Sequence, residues 1–98
     1  MSTFGEIIDI EVPVLLMFYA QWEEPSSAMQ SVIRWVAAEL KDKAKVVKLD
    51  VDKNKELSQA LRIKGLPTLM VYKKGEVVYR NSGILDADQI LGIMKEFC

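Results

Sequence analysis

Trp22-Glu23-Glu24-Pro25-Ser26 is the stretch on which the fold of this chain turns. Before it lies Val14-Leu15-Leu16-Met17-Phe18-Tyr19-Ala20, a continuous apolar run rich in strand formers, as a central strand covered on both faces requires. After it, Ala28, Met29, Val32, Ile33, Val36, Ala37 and Leu40 recur at helical spacing on one face. Pro25 suits the first turn of that helix, where its missing N–H is no loss. A buried strand therefore runs into a long amphipathic helix through a short turn carrying a tryptophan, two acids and a proline.

Outward from this unit the elements continue to alternate. Thr3 followed by Glu6 is a capping-box pattern, and Phe4, Ile7 and Ile8 give a short amphipathic helix that ends before Pro13. Lys45–Asp50 reads as a second strand, and residues 54–62 as a crossover helix with Leu57, Ala60 and Leu61 inward. Residues 68–72 and 77–80 flank Lys73-Lys74-Gly75-Glu76, which has the length and glycine of a hairpin turn. Asp86 with Gln89 forms a second capping box, opening a terminal helix with Ile90, Leu91, Ile93, Met94 and Phe97 toward the core. No linker, repeat or low-complexity segment interrupts residues 1–98, which read as one domain.

Composition removes several function classes. Ninety-eight residues, half of them hydrophobic, suffice for one core that buries roughly 60–65% of the unfolded surface. A formal charge of −1 with dispersed lysines supplies no basic stripe for nucleic acid. The apolar run ending at Ala20 is far short of the ~20 residues that span a bilayer, and the acidic N-terminal region has no basic n-region. The chain is expected to be soluble and cytoplasmic, with neither nucleic acid nor membrane as partner. It contains no histidine and one cysteine, Cys98. Ser-His and Cys-His nucleophilic pairs, Cys/His zinc sites and an intramolecular disulfide are therefore excluded. No metal or cofactor is expected, since two adjacent carboxylates do not complete an oxygen shell.

Five landmarks in order carry a family resemblance: the strand ending at Ala20 with Trp22-Glu23-Glu24-Pro25-Ser26, then Lys48-Leu49-Asp50-Val51-Asp52, Gly65-Leu66-Pro67-Thr68, Lys73-Lys74-Gly75-Glu76, and Ser82-Gly83-Ile84. Together they resemble the thioredoxin family, whose active site reads Trp-Cys-Gly-Pro-Cys. Tryptophan and proline keep their register here, while Glu23 and Ser26 stand at the thiol positions. The resemblance implies an α/β thioredoxin-like fold with a mixed central sheet flanked by helices. A further strand precedes the first helix in the family; this sequence leaves no room for it, so four strands are expected. Ser31 stands where the family often has a proline kink, which predicts a straighter helix. Met17 replaces a buried acid beneath the site, and the lysine that accompanies that acid survives as Lys48, with Glu23 its candidate partner.

For function, the resemblance leaves a degenerate site at Glu23 and Ser26 without a catalytic residue. A helix N-terminus favours an anion, so Glu23 retains the charge of a thiolate without its reactivity. Glu23 and Glu24 are either solvated first-turn acids or a lure for a basic partner, and Ser26 has no base to activate it. The family's cis bond before Pro67 implies that Leu66, Pro67, Trp22, Pro25, Gly83 and Ile84 rim a groove for a protein or extended peptide, bound as an added strand. Against this, Trp22 and Ile84 merely cover the edge of the core. A second class of function is a monothiol redox role for Cys98, which otherwise is a bystander at a chain end. The oligomeric state is not legible.

Overall fold

The computed structural model describes residues 3–98, apart from the side chains of residues 24–27. Its elements are α1 (Phe4–Ile8), β1 (Val14–Tyr19), α2 (Glu24–Leu40), a 3₁₀ turn (Lys41–Lys43), β2 (Lys45–Asp50), α3 (Lys55–Ala60), β3 (Thr68–Lys73), β4 (Glu76–Ser82) and α4 (Ala87–Lys95). The four strands form one sheet in the order β2-β1-β3-β4. β1 and β2 are parallel, whereas β1–β3 and β3–β4 are antiparallel, so the sheet is mixed.

Alternation along the strands divides the core in two. Leu15 and Met17 of β1, with Leu69 and Val71 of β3, face Met29, Ile33, Val36 and Leu40 of α2 and Ile90 and Met94 of α4. Leu16 and Phe18 of β1, with Met70 and Tyr72 of β3, pack on the other side with Ile8 of α1 and the half-buried Leu57 and Leu61 around α3. β1 and β3 are the inner strands, which is why each is an almost unbroken apolar run.

Both capping boxes form. The Thr3 hydroxyl accepts from the Glu6 N–H at 3.2 Å, and Asp86 Oδ1 accepts from the Gln89 N–H at 2.8 Å. Lys74 and Gly75 are the two loop residues of the hairpin, with φ of 52° and 85°, the positive pair that a tight turn between right-twisted strands demands.

Three expectations need correction. α3 is shorter than residues 54–62, with Asn54 as its cap and Leu61 and Arg62 already in the turn beyond it. Within it Ala60 is exposed and Ser58 is buried instead, because Leu57 and Leu61 set the inward stripe and Ser58 lies beside it. Ala28 is likewise exposed, and Met29 is the first buried residue among the described side chains of α2.

Candidate functional site at one end of the sheet

Strand register collects the site. Tyr19 at the end of β1 aligns with Asp50 at the end of β2, Phe18 with Thr68 at the start of β3, and Thr68 with Ser82 at the end of β4. The four segments beyond these residues therefore leave the same end of the sheet. They carry Trp22 and Glu23, Asp52, Leu66 and Pro67, and Gly83 and Ile84.

Glu23 takes the N-cap position of α2 in an extended conformation (φ −105°, ψ 117°), and its N–H donates to the Ala20 carbonyl at 3.2 Å. α2 then begins at Glu24, with Pro25 in its first turn. The side-chain roles considered for Glu24, Pro25 and Ser26 lie outside the described residues. Trp22 is 71% exposed, and its Nε1 donates to Asp52 Oδ2 at 2.9 Å. Asp52 is held in turn by Asp50, which is buried and accepts the Asp52 N–H on Oδ1 at 2.8 Å.

On the other side of β1, the Leu66–Pro67 peptide bond is cis. The Pro67 carbonyl accepts the Gly83 N–H at 2.8 Å, and Gly83 sits at φ +114°, a conformation that L side chains resist. The Thr68 hydroxyl donates to the Gly65 carbonyl at 2.6 Å and lies 3.1 Å from the Ser82 hydroxyl, tying the two segments together. Pro67 is buried and Leu66 half-buried, whereas Ile84 is 59% exposed. Among the described residues nothing bonds the backbone N–H or C=O of Leu66.

Beneath the turn, Met17 is fully buried and aligned with Lys48. A thioether there offers no charge to a lysine, and Lys48 is exposed, its Nζ donating to Gln30 Oε1 of α2 at 2.9 Å. Cys98 is also exposed, but at the opposite end of α2. It lines a surface cleft with Glu39, Leu40 and Lys43, and α2 separates that cleft from Glu23 by about 24 Å at 1.5 Å per residue. Among the described residues no three of His, Cys, Asp and Glu cluster as a metal site would need, and no helix is long and apolar enough to cross a membrane.

Asp52 is the site residue that sequence reading did not single out. Its signal was its place two residues beyond β2, at the end of the sheet where the Trp22 turn also emerges.

Comparison with known proteins agrees with this architecture. The family model for thioredoxin matches residues 1–96. Chloroplastic thioredoxin Y of Oryza sativa subsp. japonica is 36% identical over 91 residues, covering 92% of this chain and 54% of the relative, so the chain spans about half that protein's length. A thioredoxin-like protein of Synechocystis sp. is 35% identical over 85 residues, covering 87% of this chain and 81% of that one. Among solved structures, a mutant thioredoxin from Halobacterium salinarum superposes with a TM-score of 0.86 at 30% identity, covering 95% of this chain and 80% of that chain. Chloroplastic thioredoxin z gives 0.84 at 35% identity, covering 93% and 82%. Carrying the five landmarks in order and the mixed four-stranded sheet, and matched by the family model over residues 1–96, the chain belongs to the thioredoxin family.

Proposed function

We propose that this thioredoxin-family chain performs no dithiol–disulfide exchange and instead binds a protein or extended peptide on the face formed by Trp22, Glu23, Leu66, Pro67, Gly83 and Ile84. Glu24 and Pro25 complete that face in this reading. The observation that carries it is the position of the only thiol. Exchange within one chain needs a second sulfur to resolve the mixed disulfide, and Cys98 lies the length of α2 from the turn where Glu23 stands.

Support for binding comes from groups left available at the site. Trp22 and Ile84 are exposed apolar surface, and the Leu66 peptide group is positioned to pair with an extended chain. Residues 1–98 act in this reading as one domain, in the cytoplasm, where a chain without a disulfide is at home.

The test is reduction of a disulfide-bonded protein by a dithiol, comparing this chain, its Cys98→Ser variant and an ordinary thioredoxin. Background rates from both forms of this chain are expected. A rate above background that disappears with Cys98 replaces the proposal with a monothiol redox role. Binding is then measured on the chain and on Trp22→Ala and Ile84→Ser, which are expected to weaken a captured complex without changing any turnover.

A further inference from the structure

β2 is an edge strand, and among the described residues no strand pairs with its outer side. The Lys45 N–H donates to the Pro13 carbonyl at 3.0 Å and the Val51 N–H to the Tyr19 carbonyl at 2.9 Å. Bonds from odd-numbered residues at both ends of the strand fix its parity, because in a parallel pair alternate residues address the same neighbour. Lys45, Val47 and Leu49 therefore bond β1, and the backbone groups of Val46 and Lys48 point away from the sheet. Among the described residues nothing takes up those outward groups of Val46 and Lys48. Beyond them the edge is closed, since the Asp50 carbonyl already accepts from Asn54 Nδ2 at 2.8 Å.

We propose that this edge accepts an extended acidic peptide as a fifth strand, at a site separate from the Trp22 face. Charge selects that occupant. Lys45 and Lys48 are exposed on β2, and Lys41 and Lys43 are exposed in the turn leading into it. Between the strand lysines, Val46 and Val47 are half-buried, and Leu49 follows. Lys-Val-Val-Lys-Leu is matched residue for residue by acid-apolar-apolar-acid-apolar, each pair meeting directly across the strands. Lys48 donates to Gln30 Oε1 and has two further N–H groups for a carboxylate.

The same lysines disfavour a second copy. The two-fold antiparallel register that joins the outward groups lays Val46 against Lys48 of the other chain, which sets the two Lys48 side chains diagonally across the seam on one face, within reach of each other's like charge. Edge lysines are a known guard against self-pairing; here they also choose the sign of what can pair.

The test is a nitrogen-15 NMR titration of the full chain with the capped peptide Glu-Val-Val-Glu-Val-Val-Glu, whose pattern reads alike in both directions. Saturable shifts on β2 and slowed exchange of the Val46 and Lys48 amides are expected. Lys45→Glu/Lys48→Glu, on the exposed surface, is expected to weaken this peptide by about tenfold or more and to favour the lysine counterpart, as complementary charge requires. Blocking alternate peptide N–H groups by N-methylation is expected to abolish binding. Equal binding of the N-methylated peptide overturns the proposal, because charge alone would then hold it. So do shifts confined to Trp22 and Gly83, or none.

Discussion

The indole Nε1 of Trp22 donates to Asp52 Oδ2 at 2.9 Å across thirty residues of sequence. The bond joins the turn after β1 to the turn after β2, and Asp50 braces it from below through the Asp52 N–H. A large ring that is 71% exposed is thereby given one orientation. Ordering an exposed aromatic before a partner arrives removes an entropic cost of binding.

Asp52→Ala is expected to release the ring. In a Trp35→Phe background, where one indole reports, fluorescence anisotropy of Trp22 should fall and its emission should shift. Stability should change by less than about 1 kcal/mol, because the bond is exposed to water. Asp52→Asn, which keeps an acceptor, should lie between the two. Unchanged anisotropy in Asp52→Ala would show that the carboxylate does not hold the ring.

Arg80 of β4 reaches across the sheet to the end of α3. Its two terminal nitrogens donate to the carbonyls of Leu61 at 2.7 Å and Arg62 at 2.8 Å. Arg62 sits at positive φ, 56°, so the guanidinium secures a turn that its own backbone preference opposes. Arg80→Ala is expected to cost about 1–2 kcal/mol in urea unfolding, the lower part of the range for charge-assisted bonds because the side chain is exposed. Arg80→Lys should recover only part, since one ammonium cannot reproduce the planar fork. A loss below measurement error in Arg80→Ala would mean that the turn holds itself.

How much of the fold is legible in the sequence follows from range. Val14–Tyr19, the two capping boxes and the Lys74-Gly75 turn are written in residues within a few positions of one another, and each stands where periodicity and turn chemistry put it. The contacts that organise the site are not local. Trp22 with Asp52, Lys48 with Gln30, and Arg80 with Leu61 each link separate elements, and no spacing rule encodes them. Ala60 and Ser58 exchanged places for a related reason. Two leucines four apart define a face, but in a six-residue helix either neighbour can fill the remaining inward position.

Ser58 is the consequence of that exchange. It is buried, and its hydroxyl has no hydrogen-bond partner among the described residues. An unmet buried hydroxyl costs free energy that its removal returns, and alanine is also the better helix former. Ser58→Ala is therefore expected to raise stability by about 1 kcal/mol, read as a higher urea midpoint at unchanged slope. A destabilised variant would show that the hydroxyl has a partner that matters.

Tyr72 supplies the pH dependence. Burial pushes its phenol above the ordinary value of 10.0, and the nearby Arg80 charge pulls more weakly the other way. The folded chain thus holds this proton more tightly than the unfolded chain does. Its contribution is complete below about pH 10, where both states are protonated, and is lost as pH rises from there through the folded-state pKa, because the unfolded state ionises first. Tyr72→Phe keeps the ring that meets Phe4 edge-on at 5.5 Å between centroids and removes the proton. Lysines titrate in the same range, so the measurement is the difference between the two proteins' stability curves from pH 8 to 11, a window set around the ordinary tyrosine range. That difference is expected to be flat at the lower end and to turn in favour of the phenylalanine variant at the upper end. Parallel curves throughout would mean that folding leaves the Tyr72 proton no more tightly held.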